Sequence, residues 1–91
     1  MEFHYSLEMR VFTHEWRLAS VSNNVLDFRK HFEHVAEKSK TIEAMGTVRV
    51  GVWLNSNLLT ERLFNFRDIE ITDEIMQYVV SEIDTDTRNA L

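Results

Sequence analysis

The stretch FHYSLEMRV, residues 3–11, sets the fold class of this chain. Every second residue from Phe3 to Val11 is apolar, and the residues between them are polar. Successive side chains of a β-strand point to opposite faces of a sheet, so this alternation predicts a strand with one buried and one solvated face. Other elements of the chain must therefore pack against the apolar face of the sheet to which this strand belongs.

A second strand is predicted directly after the first. In EWRLASV, residues 15–21, Trp16 and Leu18 fall on the same face. A turn at Thr13-His14 would join the two strands into an antiparallel hairpin.

Residues 22–46 carry the spacing of an amphipathic helix. Ser22, Asn23 or Asn24 can cap its start, because their side-chain oxygens accept hydrogen bonds from first-turn amides. Gly46 lies where a left-handed residue would end it. The apolar face recurs every three or four residues. It consists of Val25, Phe28, Phe32, Val35 and Ile42.

Two further strands are predicted after this helix. TVRVGVWL, residues 47–54, places its valines on one face and Trp53 on the other. Asn55–Asn57 supplies a turn, because Asn tolerates positive φ. The next strand, TERLFNFRDIEI over residues 60–71, changes its alternation partway. Either a bulge near Arg67 reconciles its two halves, or the second half belongs to a different pairing.

The chain ends in a second predicted helix. Thr72 can cap it, acidic side chains in its first turn suit the helix dipole, and residues 84–91 are expected to fray. The elements follow the order β(β)αββα. Residues 1–91 are therefore predicted to form a single α+β domain, a two-layer structure with an antiparallel sheet of four or five strands and two helices.

Composition narrows the classes of function. The chain has 91 residues, no Cys and only two Gly, so glycine-rich phosphate loops and thiol chemistry are excluded. No Ser lies in a nucleophile elbow, and no cofactor motif occurs. Apolar runs are too short for a membrane span. These features favour a cytoplasmic protein that is not an enzyme and that has no cofactor.

Charge is distributed unevenly along the sequence. Residues 1–40 hold six acids and six bases, whereas residues 41–91 hold nine acids and four bases, which accounts for the net charge of −5. A nucleic-acid-binding protein normally carries a clustered positive patch, so no nucleic-acid partner is expected.

An acidic stretch between residues 68 and 86 is the main candidate site. It contains seven carboxylates and no Lys or Arg, and it allows three interpretations: helix capping with a solvated face, a surface for a protein partner, or a divalent-cation site. We favour an acidic protein-binding module whose partner has a basic surface, as inhibitors and immunity-type proteins do, with Trp53 as an apolar anchor. The carboxylates are Asp68, Glu70, Asp73, Glu74, Glu82, Asp84 and Asp86.

His31 and His34 support an alternative of another class. Their spacing places both imidazoles on one side of the helix, where they could hold a metal ion with a third ligand. The alternative is therefore a small-ligand or metal-dependent protein that uses this helix face; amphipathic packing explains the same pair without a metal.

A last expectation is self-association. A two-layer fold leaves one sheet face without a covering helix, and exposed aromatic side chains on such a face usually mark an interface. Trp53, Phe64 and Phe66 are predicted to line this face, and the protein is expected to form a homodimer through it.

Overall fold

The predicted α+β class is confirmed. The computed structural model describes residues 2–12 and 15–91, which form a four-stranded antiparallel sheet with two helices on one face. The predicted Thr13-His14 turn lies outside the described residues. The elements are β1 (Phe3–Val11), β2 (Glu15–Ser22), α1 (Val25–Lys38), β3 (Thr47–Leu54), β4 (Asn57–Asn65) and α2 (Asp73–Ala90).

The strand order is β2-β1-β3-β4, with β1 and β3 in the centre. Each half of the chain is therefore a β-hairpin followed by a helix, and the two halves meet where β1 pairs with β3. In this register Leu7 lies opposite Val50, which in turn lies opposite Arg62. Directly opposed residues share one face of an antiparallel sheet, so the strand pairing fixes which side chains meet the helices.

The core lies between the sheet and the two helices. Apolar side chains from both layers are buried there, as the alternation of β1 and β3 requires. They include Leu7, Val48, Val50 and Val52 from the sheet, Phe28, Phe32 and Val35 from α1, and Met76, Val79 and Ile83 from α2.

Phe64 and Phe66 belong to this core side, so the prediction that they line the same face as Trp53 is wrong. Phe64 pairs directly with Val48 and therefore shares the helix-covered face. Both rings meet Phe32 edge-on, with centroid distances of 6.1 and 5.4 Å.

Helix α1 is shorter than the sequence pattern predicts. It ends at Lys38, so Ile42 lies beyond it and is 94% exposed. Ser39 occupies a position where the apolar stripe is interrupted, and its buried hydroxyl donates to the carbonyl of Ala36 at 2.7 Å. Gly46 does have a positive φ of 78°, but it terminates the loop rather than the helix.

The bounds of β4 explain the change of alternation. Asn55 and Ser56 both have positive φ, as a two-residue hairpin turn requires, and β4 begins at Asn57. The strand ends at Asn65, whose Oδ1 accepts from the backbone N–H of Arg67 at 3.0 Å. The predicted strand over residues 66–71, with its bulge near Arg67, is therefore wrong.

Helix α2 begins as predicted and ends later than predicted. The Thr72 hydroxyl accepts from the backbone N–H of Ile75 and caps the first turn. The helix continues to Ala90, so the segment expected to fray is helical. Its last turns carry an ion pair between Asp84 and Arg88 at 2.7 Å, one helical turn apart.

Candidate interaction surface

The sheet face that points away from both helices is the candidate site, and we call it the open face. Alternation requires it to carry the even-numbered residues of β1 and their cross-strand partners. Its residues are His4, Ser6, Glu8 and Arg10 of β1, Trp16, Leu18 and Val21 of β2, Arg49, Gly51 and Trp53 of β3, and Leu58, Glu61 and Leu63 of β4.

The central row of the open face runs across all four strands. Strand pairing places Leu18, Glu8, Arg49 and Leu63 side by side in that order. Arg49 binds Glu8 through two parallel hydrogen bonds of 3.0 and 2.9 Å. The two flanking leucines are 63% and 59% exposed. A charged pair is therefore framed by two solvent-exposed aliphatic side chains.

Arg49 is the electrostatic centre of this row. Its guanidinium lies 4.3 Å from the ring centroid of Trp16, within cation–π range, and its Nε lies 3.9 Å from Glu61. The hydrogen bond with Glu8 raises the pKa of Arg49, and partial burial opposes that shift. Glu8 and Glu61 together balance Arg49 and Arg10, so the open face has no net charge at neutral pH.

Trp53 lies on the open face and is only partly exposed. Its Nε1 donates to the hydroxyl of Ser6 at 2.9 Å. A Cβ at Gly51 would lie 3.0 Å from that nitrogen and 2.6 Å from the Ser6 hydroxyl oxygen, so the absence of a side chain at Gly51 makes room for the indole. The hydrogen bond to Ser6 thus fixes the position of the indole on the sheet.

Aliphatic side chains surround these anchored groups. Val21 and Leu58 are 53% and 46% exposed, and with the two leucines of the central row they complete an apolar rim. The exposed aliphatic side chains of the open face therefore lie on the two edge strands, on either side of the central charged pair.

The acidic stretch does not form one surface. Glu82 and Asp86 both bind Arg62 of β4, and Asp84 binds Arg88. The remaining carboxylates are exposed around the start of α2. They are Asp68, Glu70, Asp73 and Glu74.

These ion pairs change the interpretation of the seven carboxylates. Three of them form ion pairs with two arginines, Arg62 of β4 and Arg88 at the end of α2, and Asp73 lies 3.7 Å from Arg29 of α1. The α2 carboxylates belong to the helix layer, whereas Trp53 lies on the opposite side of the sheet. The structure therefore separates the acidic groups of α2 from the apolar anchor with which they were predicted to act.

The histidine pair is divided between two environments. The Nδ1 of His31 lies 2.8 Å from the hydroxyls of Ser20 and Ser22, so this ring joins α1 to β2. His34 is exposed. Over residues 2–12 and 15–91, no group of three or more potential metal ligands occurs. The observed contacts give His31 a structural role in packing the helix on the sheet.

A groove between the helices also lies near titratable groups. It has a volume of about 300 Å³ and is lined in part by Tyr5, Phe28 and Asp84. Burial, and secondarily the negative charge of Asp84, raise the pKa of Tyr5. Asp84 is already paired with Arg88, which leaves this groove with little fixed charge for selecting a ligand.

Sequence reasoning identified Trp53 but missed the leucines of the central row. Leu63 follows Arg62 in a strand whose phase was misassigned, and Leu18 was placed on a face but not weighed as part of a site. Leu18 and Leu63 fall in one row only because the strand order is β2-β1-β3-β4. That order depends on pairing between segments far apart in the sequence, which local patterns do not reveal.

The chain matches no protein-family model, no curated protein and no solved structure in these comparisons. None of the helices in the described part of the chain is long and apolar enough to cross a membrane.

Proposed function

We propose that this protein is a protein-binding module that contacts its partner through the open face of the sheet. The observation that carries the proposal is the central row, in which a neutralised Glu8–Arg49 pair lies between two largely exposed leucines. Interface centres are enriched in aromatic residues and Arg, and a charge buried there must be paired, as Arg49 is with Glu8.

The shape and charge of the open face favour a protein as the ligand. The face is one side of a sheet rather than a deep pocket, and small-molecule sites are concave. It has no net charge, whereas a nucleic-acid site needs a positive patch. Trp16 and Trp53 are both held by polar partners on this face, and Trp is the residue type most enriched at binding hot spots.

An inhibitor or immunity-type protein is the kind of module that the small size and acidic charge favour, because such proteins act only by covering a partner. In that case a basic partner would be attracted to the helix layer, where the exposed carboxylates at the start of α2 lie, and its association rate would fall with added salt. The inhibitor-type role rests on charge alone, whereas the protein-binding role rests on the open face.

Site-specific photocrosslinking in cells of the native host tests the proposal. Benzoylphenylalanine is introduced in place of Leu63 on the open face or, as a matched control, in place of Ile42, which is also exposed but lies in the loop after α1. We expect discrete protein adducts from position 63 and none from position 42. Absence of adducts from position 63, or the same adducts from both positions, would contradict the proposed function.

A further inference from the structure

We infer that the partner on the open face is a second copy of this chain, packed sheet against sheet with the two-fold axis parallel to the strands and between β1 and β3. The inference rests on the proposed function, because it names the occupant of the same surface. It is carried by the order of residues in the central row.

A two-fold axis in this direction exchanges the two halves of the sheet. It places β2 over β4 of the second copy and β1 over β3 of the second copy, because the sheet order is β2-β1-β3-β4. The central row reads Leu18, Glu8, Arg49, Leu63 in one copy, and the facing row runs in the reverse order. Leucine therefore faces leucine at both ends, and each Glu8 faces the second copy's Arg49.

The row is thus self-complementary in both charge and polarity, which is what a symmetric interface between identical chains requires. A two-fold axis across the strands would instead place Glu8 over Glu8 and Arg49 over Arg49. Facing like charges are strongly unfavourable in an interface, so the charge order selects the axis along the strands. Aligned packing at a small angle is also the common arrangement for two stacked sheets.

The overall charge of the chain agrees with this choice of face. Two molecules that each carry −5 repel one another wherever their acidic surfaces meet. On the open face Glu8 and Glu61 are balanced by Arg49 and Arg10, so two copies can approach there without net repulsion. Packing through this face leaves both helix layers, with the α2 carboxylates, directed outward.

The area of the open face can be compared with that of a typical interface. Four strands at a spacing of about 4.8 Å and a length of eight residues at about 3.3 Å give a flat footprint of roughly 500 Å². Projecting side chains such as Leu18 and Leu63 increase the accessible area above this footprint. A standard interface buries about 800 Å² per partner, so the open face is of the right order for a stable dimer.

Single-cysteine crosslinking tests both the occupant and the axis, because the natural chain contains no Cys. Facing residues of stacked sheets lie about 10 Å apart, beyond disulfide range, so a bismaleimide with a two-carbon spacer is used. Leu18→Cys and Leu63→Cys proteins are purified separately, mixed, and treated with the crosslinker. Ile42→Cys protein serves as the exposed control for random collision.

We expect a covalent dimer from the mixture of Leu18→Cys and Leu63→Cys, and only background from either variant alone or with Ile42→Cys. A dimer from Leu18→Cys alone would overturn the assigned axis, because residue 18 then faces itself. No product above the Ile42→Cys background would overturn the second copy as the occupant. In that case photocrosslinking at position 63 to a different protein would still support the proposed function, so the two failures are distinguishable.

Discussion

Replacing Leu63 with Ala is expected to weaken the dimer about 100-fold without unfolding the chain. The change removes three carbon atoms, which on full burial are worth about 2.4 kcal/mol at ~0.8 kcal/mol each. Leu63 is 59% exposed in the single chain, so association can gain only about 1.4 kcal/mol from those atoms. Two-fold symmetry makes the contact twice, and about 2.8 kcal/mol corresponds to about two decades in the dissociation constant.

Sedimentation equilibrium over a dilution series measures this constant directly. Ile42→Ala is the matched control, because it also removes three carbons from an exposed side chain but lies outside the open face. We expect the control to keep the dissociation constant of the natural chain. A Leu63→Ala effect below about threefold, or an equal effect of Ile42→Ala, would refute the assignment of Leu63 to the interface.

Three predictions concern the folded chain itself. Gly51→Ala should cost about 1–3 kcal/mol of unfolding free energy in urea and shift Trp fluorescence, because the new Cβ displaces Trp53; an unchanged spectrum would contradict this. Thr72→Ala should cost about 1 kcal/mol in the same assay through loss of the α2 cap, and no loss would refute that role. The folded pKa of Tyr5 is raised above its usual 10.0, so its contribution to stability is present below that pH and is lost as pH rises further. Urea unfolding across the alkaline pH range should show no such loss of unfolding free energy for Tyr5→Phe. An unchanged pH profile of stability in this variant would contradict the raised pKa of Tyr5.

Local sequence patterns predict the elements of this fold because their causes are local. The alternation in residues 3–11 is the pleat of β1, and Thr72 caps α2 by contacting an amide three residues away. The length of α1 was predicted wrongly because a hydrogen bond across the following loop ends the helix early. Helix α1 ends before Ile42 because the buried Ser39 carbonyl accepts from the Gly46 amide, and the chain turns back toward β3.

The candidate site is less accessible to sequence reasoning than the elements. Glu8 and Arg49 are separated by 41 positions, and only the pairing of β1 with β3 brings them into contact. The ion pairs of Arg62 with the end of α2 have the same origin. Charge counted along the chain therefore overstated the acidic surface, since it could not include arginines contributed by other elements.

The end of α2 shows how such contacts also affect local stability. Its polar sequence indicated fraying, and isolated helical ends of this kind are only marginally stable. In the folded chain Asp86 and Glu82 bind Arg62, and Thr87 donates to the carbonyl of Ile83 at 2.7 Å. These contacts explain the helical conformation to Ala90 and direct three polar groups away from the open face.

Molar mass by light scattering at micromolar concentration tests the central claim, that the open face is an interface between two copies, most directly. We expect a mass of twice the 10.8 kDa chain for the natural protein and for Ile42→Glu, and a mass of one chain for Leu63→Glu. The glutamate at position 63 would place a charge against the second copy's Leu18. A mass of one chain for the natural protein, or two chains for Leu63→Glu, would contradict the claim.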